Sequence, residues 1–262
     1  MKLKNFTVPL FVPGNRPERF EKAAASGADA IIVDLEDAVA VDAKDSARAA
    51  LRADFTDLPV LVRINGEGTP WHEDDLAAVA RLPFAAVIVP KAELGGELAA
   101  RAAKSAVPIV ALVETARGLA EARQIAALPG VSRLLFGSID FCADLGCAHT
   151  REALLAARSE LVLASRLARL TAPVDGVTAS IDDRDEITSD ARYALELGFG
   201  GKLAIHPRQI EAIRVGFRPS DSEIEWATKV LASGDGAAAV DGAMVDEPVR
   251  ARARAMLARS AG

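Results

Sequence analysis

The stretch Ile109-Val110-Ala111-Leu112-Val113-Glu114, followed by Leu119–Ala127 and then by Arg133-Leu134-Leu135-Phe136, reads as strand, helix, strand. Its first part is an unbroken apolar run that ends on an acid, the pattern of a strand covered on both faces. The middle part has Leu, Ala, Glu and Arg at helical spacing and closes at Pro129-Gly130. Parallel strands need a crossover of a dozen or more residues, and a helix of this length supplies it.

The same alternation extends in both directions. Eight short apolar runs occur, at Val8–Pro13, Ala30–Asp34, Val60–Ile64, Ala86–Pro90, Ile109–Glu114, Arg133–Phe136, Val174–Thr178 and Lys202–Ile205. Helical segments are expected at Pro17–Ser26, Ala43–Ala53, His72–Arg81, Glu93–Ala103, Leu119–Ala127, Arg151–Leu170, Asp185–Leu197 and Arg208–Val215. Eight strand–helix units over about 210 residues fit an α/β fold of the TIM (β/α)8 barrel type, which leaves no sheet edge unpaired. An open doubly wound sheet satisfies the same alternation, because periodicity does not report closure.

The barrel is expected to occupy residues 1–219, with a C-terminal helical extension or arm over 220–262. That extension reads as a helix over Ser220–Ser233, a Gly- and Ala-rich stretch Gly234–Gly242, and a final Arg-rich helix. Two readings of the middle stretch stay open: a solvated linker, or a lid or arm that reaches a neighbouring subunit.

Half of the 262 residues are hydrophobic, enough for a large core, and 31 basic against 37 acidic residues give a net charge of -6. That balance argues against a protein that works by neutralising nucleic-acid phosphates or binding an anionic membrane. No stretch approaches the ~20 apolar residues of a membrane span, and no signal-peptide pattern opens the chain. With Cys142 and Cys147 too few for a disulfide or zinc framework, they read as buried thiols, and a cytoplasmic location follows.

In a barrel of this kind the chemistry sits at the carboxyl ends of the strands. Those ends carry Gly14-Asn15-Arg16, Asp34-Leu35-Glu36-Asp37, Arg63-Ile64-Asn65, Lys91, Glu114-Thr115, Asp140 and His206. Glu114 and Asp140 are read as closing consecutive strands, ~4.8 Å apart, so their carboxylates can meet. Mg²⁺ relieves their repulsion, since it takes one or two carboxylates and leaves its other positions to water and substrate oxygens. An ordinary pair of strand-end acids held by Arg or Lys is the alternative.

Arg63 suits a carboxylate or a polarised carbonyl, or else a structural ion pair with Asp34 or Glu36. Arg16 or Arg19, with helix-terminal N–H groups near Pro17, forms a candidate anion pocket, with simple helix capping as its alternative. The backbone of Gly137-Ser138 offers N–H groups to a substrate carboxylate. His72 and His149 are expected to face solvent, while His206 is placed near the mouth without a Ser or Cys partner for a nucleophilic triad. Lys91 reads as a charged structural partner rather than a Schiff-base lysine.

Six motifs, in order, resemble the citrate lyase β-subunit-like branch of the HpcH/HpaI aldolase superfamily over nearly the whole chain. They are Leu10–Arg16, Asp34–Asp37, Val62–Asn65, Val113–Gly118, Phe136–Phe141 and Gly201–Ile210. The resemblance implies a TIM barrel that binds Mg²⁺ through Glu114 and Asp140 and uses Arg63 to polarise the substrate carbonyl. It implies cleavage or formation of a carbon–carbon bond in a short 3-hydroxyacyl thioester of coenzyme A or acyl carrier protein. The products would be an acetyl-type thioester and a 2-oxoacid such as oxaloacetate, pyruvate or glyoxylate.

On the same resemblance Asp34, Glu36 and Asp37 orient metal-bound waters or the thioester arm, Glu36 counting as catalytic and Asp37 as substrate-binding beside Arg16, Gly137 and Ser138. The tail resembles an arm that carries Asp246, as the proton-handling group, into a neighbouring subunit of a homotrimer or hexamer. Alternatives of another class are a subunit of a multi-component lyase that serves a carrier protein, and a metal-dependent pyruvate aldolase on free aldehydes. The sequence departs from many relatives at Ile139, where they place an acid.

Overall fold

The structure, a computed structural model, describes residues 3–95, 98–99, 107–234 and 236–260. Eight parallel strands form one sheet in chain order: β1 (Pro9–Pro13), β2 (Ala30–Asp34), β3 (Val60–Arg63), β4 (Ala86–Val89), β5 (Ile109–Val113), β6 (Val131–Phe136), β7 (Val174–Asp175) and β8 (Gly201–Lys202). The sheet closes: Lys202 and Ala204 donate their backbone N–H groups to Thr7 and Pro9 oxygens, and Phe11 donates to Ala204 O, each at 2.9 Å. The fold is a TIM barrel, and the open-sheet alternative falls away.

The apolar runs are continuous because each strand is buried twice, once inside the barrel and once under the helices. Alternate positions, such as Ala30 and Ile32, Ala86 and Ile88, and Val110 and Leu112, join Phe6, Leu135 and Leu203 in one interior cluster. The helices of the barrel are α1 (Phe20–Ala24), α2 (Lys44–Ala49), α3 (His72–Val79), α4 (Ala116–Ala120), α5 (Ala122–Ala127), α6 (Ser138–Leu145), α7 (Arg151–Leu167), α8 (Arg184–Leu197) and α9 (Gln209–Phe217). The helix expected at Glu93–Ala103 lies largely outside the described residues. The single helix expected at Leu119–Ala127 is two, broken at Glu121.

Strands β7 and β8 are shorter than their apolar runs. They end where Asp175 and Lys202, both fully buried, meet Arg158 of α7: Lys202 Nζ donates to Asp175 Oδ2 (3.0 Å) and Arg158 Nε to Asp175 Oδ1 (2.9 Å). Two cations hold the Asp175 carboxyl below its usual range despite burial, and each charge is costly without the others. Cys142 is buried and Cys147 half-buried, so only the first fits its expectation.

The chain divides into two compact units, Met1–Arg214 and Val215–Gly262. In the second, α10 (Asp221–Ala232) packs on α11 (Glu247–Ser260) around Ala227, Val230, Ala253 and Met256. The Gly- and Ala-rich stretch is no linker: Ala238–Val240 (β9) and Ala243–Val245 (β10) pair antiparallel. Asp241 (φ 50°) and Gly242 (φ 80°) make the two-residue turn between them, the left-handed pair such hairpins require. Among the described residues no helix is long and apolar enough to cross a membrane.

Candidate active site

A cavity of about 450 Å³ opens at the carboxyl ends of the barrel strands, and its wall includes Asp34, Asp37, Arg63, Glu114, Gly137, Ser138 and Asp140. Arg63 leaves β3 beside the end of β2. Its Nε and Nη2 donate to the two Asp34 carboxylate oxygens, each at 2.7 Å, and Nη1 donates to Asp37 Oδ2 at 3.0 Å. Nη1 also lies 3.1 Å from Glu36 Oε2 as an ion pair without an aligned hydrogen bond, and Phe11 stacks under the guanidinium at 5.0 Å.

Asp34 is itself fixed, because the N–H groups of Glu36 and Ala38 donate to its two oxygens at 3.0 Å. Buried Lys44 Nζ donates to the carbonyls of Leu35 and Glu36 at 2.7 Å and so holds the turn from behind. The structural pairing of Arg63 is thus present, and so is its place on the cavity wall. Three surrounding acids keep Arg63 charged well above its ordinary range, and Asp37, with its side chain 56% exposed, is the partner most easily displaced.

Glu114 follows β5 directly and is 1% exposed. Its Oε1 accepts the Lys91 backbone N–H at 2.8 Å, and Lys91 adopts φ 47° as it aims that bond. Lys91 Nζ donates to Glu36 Oε1 at 2.9 Å, the structural pairing expected of it. Glu114 Oε2 is buried without a hydrogen-bond partner. Burial first, and the Glu36 charge second, push the Glu114 carboxyl up to about 8.

Asp140 does not close a strand, a correction to the sequence reading. Strand β6 stops at Phe136, Gly137 turns the chain, and Asp140 sits in the first turn of α6, half-buried on the cavity wall. Gly137 is also corrected as a free donor: its N–H continues the β5–β6 ladder to Val113 O at 3.0 Å. The N–H groups of Ser138, Ile139 and Asp140 open α6 and have no acceptor within it. A side chain at 137 would place its Cβ 2.3 Å from Glu114 Oε2, so glycine is what admits the Glu114 carboxyl to this position.

Ser138 Oγ lies 2.9 Å from Nε2 of His149, so His149, though exposed, is tied to the cavity wall. Burial and the Arg158 and Lys202 charges lower its pKa. His72 is corrected from solvent-facing to buried, with Nδ1 2.7 Å from the Asn65 carbonyl. His206 accepts the Arg208 N–H at 3.2 Å and is not a wall residue, whereas its neighbour Ile205 is. Arg16 is not a wall residue either: it is exposed and paired with Glu18 at 2.6 Å, an acid two residues away that captures it. Asp246 belongs to the second unit, where its Oδ1 accepts the Val249 N–H at 3.2 Å and caps α11.

A divalent cation fits this donor set. Glu114 presents a buried oxygen with nothing to bind, and Asp140 faces the same cavity. Among the described residues no cluster of three or more His, Cys, Asp or Glu groups forms a complete protein cage, so water and substrate oxygens would fill the rest of the shell.

A sequence profile of the HpcH/HpaI aldolase/citrate lyase family matches residues 7–207. The citrate lyase subunit beta-like protein of Mycobacterium tuberculosis (strain ATCC 25618 / H37Rv) is 40% identical over 267 residues, covering 96% of this chain and 94% of that one. The (3S)-malyl-CoA thioesterase of Cereibacter sphaeroides (strain ATCC 17023) is 37% identical over 270 residues, covering 97% and 94%. The solved structure of CitE from Mycobacterium tuberculosis with magnesium, acetoacetate and coenzyme A superposes with a TM-score of 0.89 at 39% identity, over 98% of each chain. This chain belongs to the HpcH/HpaI aldolase/citrate lyase family, in its citrate lyase β-subunit-like branch.

Proposed function

We propose that this protein cleaves or forms the carbon–carbon bond of a short 3-hydroxyacyl-CoA, giving an acetyl-type thioester and a 2-oxoacid in the cytoplasm. Membership of the family makes it a metal-dependent lyase, and magnesium is the metal in the related structure. The observation that carries the reading is the unpartnered, buried Glu114 oxygen facing one cavity with Asp140 and Arg63. Those two carboxylates would hold Mg²⁺, which when bound supplies positive charge to substrate oxygens. Arg63, locked by Asp34, turns its Nη1 edge to the carbonyl oxygen and yields Asp37 to do so. The α6 N–H groups receive the 2-oxoacid carboxylate.

Glu36 and Lys91 pair behind this site, and Glu36 keeps Arg63 and Lys91 in register. Asp246 of a neighbouring copy, in a homotrimer or hexamer, takes the proton of the 3-hydroxyl as the bond breaks and hands one to the carbon of the thioester enolate so formed, which gives the acetyl-type thioester; synthesis runs the two transfers in reverse. The test is 2-oxoacid release from malyl-, citramalyl- and citryl-CoA with and without chelator, the malyl ester first because a relative bears that name. Chelator-sensitive release that disappears in Glu114→Ala is expected; turnover that survives both would end the proposal.

A further inference from the structure

The two cysteines of the chain meet at the end of α6. That helix stops at Gly146, whose φ of 72° is left-handed, and the Gly146 and Cys147 N–H groups both donate to the Cys142 carbonyl, at 2.9 and 3.1 Å. The second bond is that of a Schellman stop, which brings the residue after the left-handed glycine against the side chain five positions before it. Such stops commonly close on an apolar contact. Here two thiols make it, with Cys147 Sγ 3.7 Å from Cys142 Sγ.

A disulfide needs its sulfurs about 2.05 Å apart, so these stand only ~1.7 Å short of bonding. Cys147 is the more open of the two, half-buried where Cys142 is buried. Neither thiol lines the active-site cavity, but the loop that carries Cys147 is tied to its wall. Cys142 Sγ donates to the Ala148 carbonyl at 3.7 Å, and the next residue, His149, places Nε2 2.9 Å from Ser138 Oγ on that wall.

We propose that Cys142 and Cys147 are a reversible oxidation site for peroxides, and that closing their disulfide releases His149 from Ser138. The Cys147 sulfur, as thiolate, bonds to one peroxide oxygen as the O–O bond breaks, and the product is a sulfenic acid and, with the thiol proton, one water. The Cys142 sulfur then attacks the Cys147 sulfur and gives up its proton, and the S–OH oxygen leaves as a second water. The sulfurs lose two electrons between them, and the peroxide gains both. Closure draws Cys147 toward α6 and removes the S–H that the Ala148 carbonyl accepts, which leaves that carbonyl the Thr150 N–H at 2.9 Å. His149 lies between these two changes. Disulfides that form transiently inside cells are commonly sensors, and this inference does not depend on which thioester is cleaved.

The test uses the reduced full chain, whose thiol count reports this pair alone because it has no other cysteine. Hydrogen peroxide is expected to remove both thiols, with an intact mass lower by two hydrogen atoms, no dimer on a non-reducing gel, a peptide that joins Cys142 to Cys147, and recovery with dithiothreitol. Cys142→Ser is expected to stop at a sulfenic acid on Cys147, trapped by dimedone, and Cys147→Ser to keep its one buried thiol under the same treatment. The imidazole resonance of His149, one of three in the chain and assigned with His149→Gln, is expected to shift on oxidation and return on reduction. Mg²⁺-dependent turnover should fall about fivefold, the weight of one hydrogen bond, whereas Cys147→Ser should keep its turnover in peroxide. Thiols that survive, or that end as sulfinic acids or as cross-links between chains, would overturn the site. An internal disulfide that leaves the His149 resonance and turnover unchanged would overturn its link to the cavity.

Discussion

Replacing Gly137 by Ala tests how Glu114 is held. The added Cβ would lie 2.3 Å from Glu114 Oε2 and 2.5 Å from Glu114 Cβ. Rotation of the Glu114 side chain relieves the first contact but not the second, because that Cβ is fixed to the backbone just past β5. The two strand ends must part by about 1 Å, against the Gly137 N–H bond to Val113 O at 3.0 Å. Overpacking of this kind costs roughly 1–3 kcal/mol, which at this chain length lowers the melting temperature by roughly 2–12 °C. The consequence for the site is larger, since a displacement of ~1 Å costs about 100-fold in rate. Calorimetric melting, Mg²⁺ titration and turnover are measured together, with Gly27→Ala as the control. Gly27 has φ 91° and its nearest new contact, Ile210 Cγ2, is 3.9 Å away, so that variant loses stability without touching the cavity. A Gly137→Ala protein that melts within ~1 °C of the original and binds Mg²⁺ as well would show that Glu114 is not lodged against this backbone.

With chelator present, stability is expected to fall as pH rises from 4.5 toward 8, because folded Glu114 holds its proton up to about 8 whereas the unfolded chain releases it near 4.5. The loss is at most ~5 kcal/mol and should vanish from urea titrations of Glu114→Gln. In Asp175→Asn, buried Arg158 and Lys202 lose their counterion, and a destabilisation of ~3–5 kcal/mol is expected by denaturant titration. Asp175 has a lowered folded pKa, so its contribution is full above the unfolded value and lost as pH falls through the folded one; the variant's deficit should shrink in acid. Asp246→Asn is expected to lower kcat while 2-oxoacid affinity measured by titration stays unchanged; an equal loss of both would assign Asp246 to binding or folding instead.

Much of the barrel was legible because each parallel strand is buried on both faces and so must be apolar throughout. Where a strand carries a charge, that signal failed: the runs around Asp175 and Lys202 read as ordinary strands, yet they end at the two ions. Opposite charges embedded in apolar runs on neighbouring strands were the available clue, since neither is tolerable without a partner. The hairpin in the second unit was missed for a different reason. Its strands, Ala-Ala-Val and Ala-Met-Val, are too short for periodicity, and the cue was local, Asp241-Gly242 between them. His72 was misread because helix starts are usually exposed, whereas this one is drawn inward by the Asn65 carbonyl.

At the site, the residue types were readable but their secondary structure was not. Asp140 comes four residues after Phe136, and a strand period cannot distinguish a strand end from the first turn of a helix without a strong cap; Gly137 supplies only a turn. The difference has a chemical consequence. On a strand end Asp140 would bring a carboxylate alone, whereas on the first turn of α6 it comes with the unsatisfied N–H groups of that turn, so one short segment offers both an acid for a cation and donors for an anion. A 2-oxoacid carries the complementary pair, a carboxylate and an adjacent carbonyl oxygen. The arrangement needs Glu114 from the neighbouring strand to complete the cation's side, and it is Gly137, the residue between the two, that lets that side chain pass.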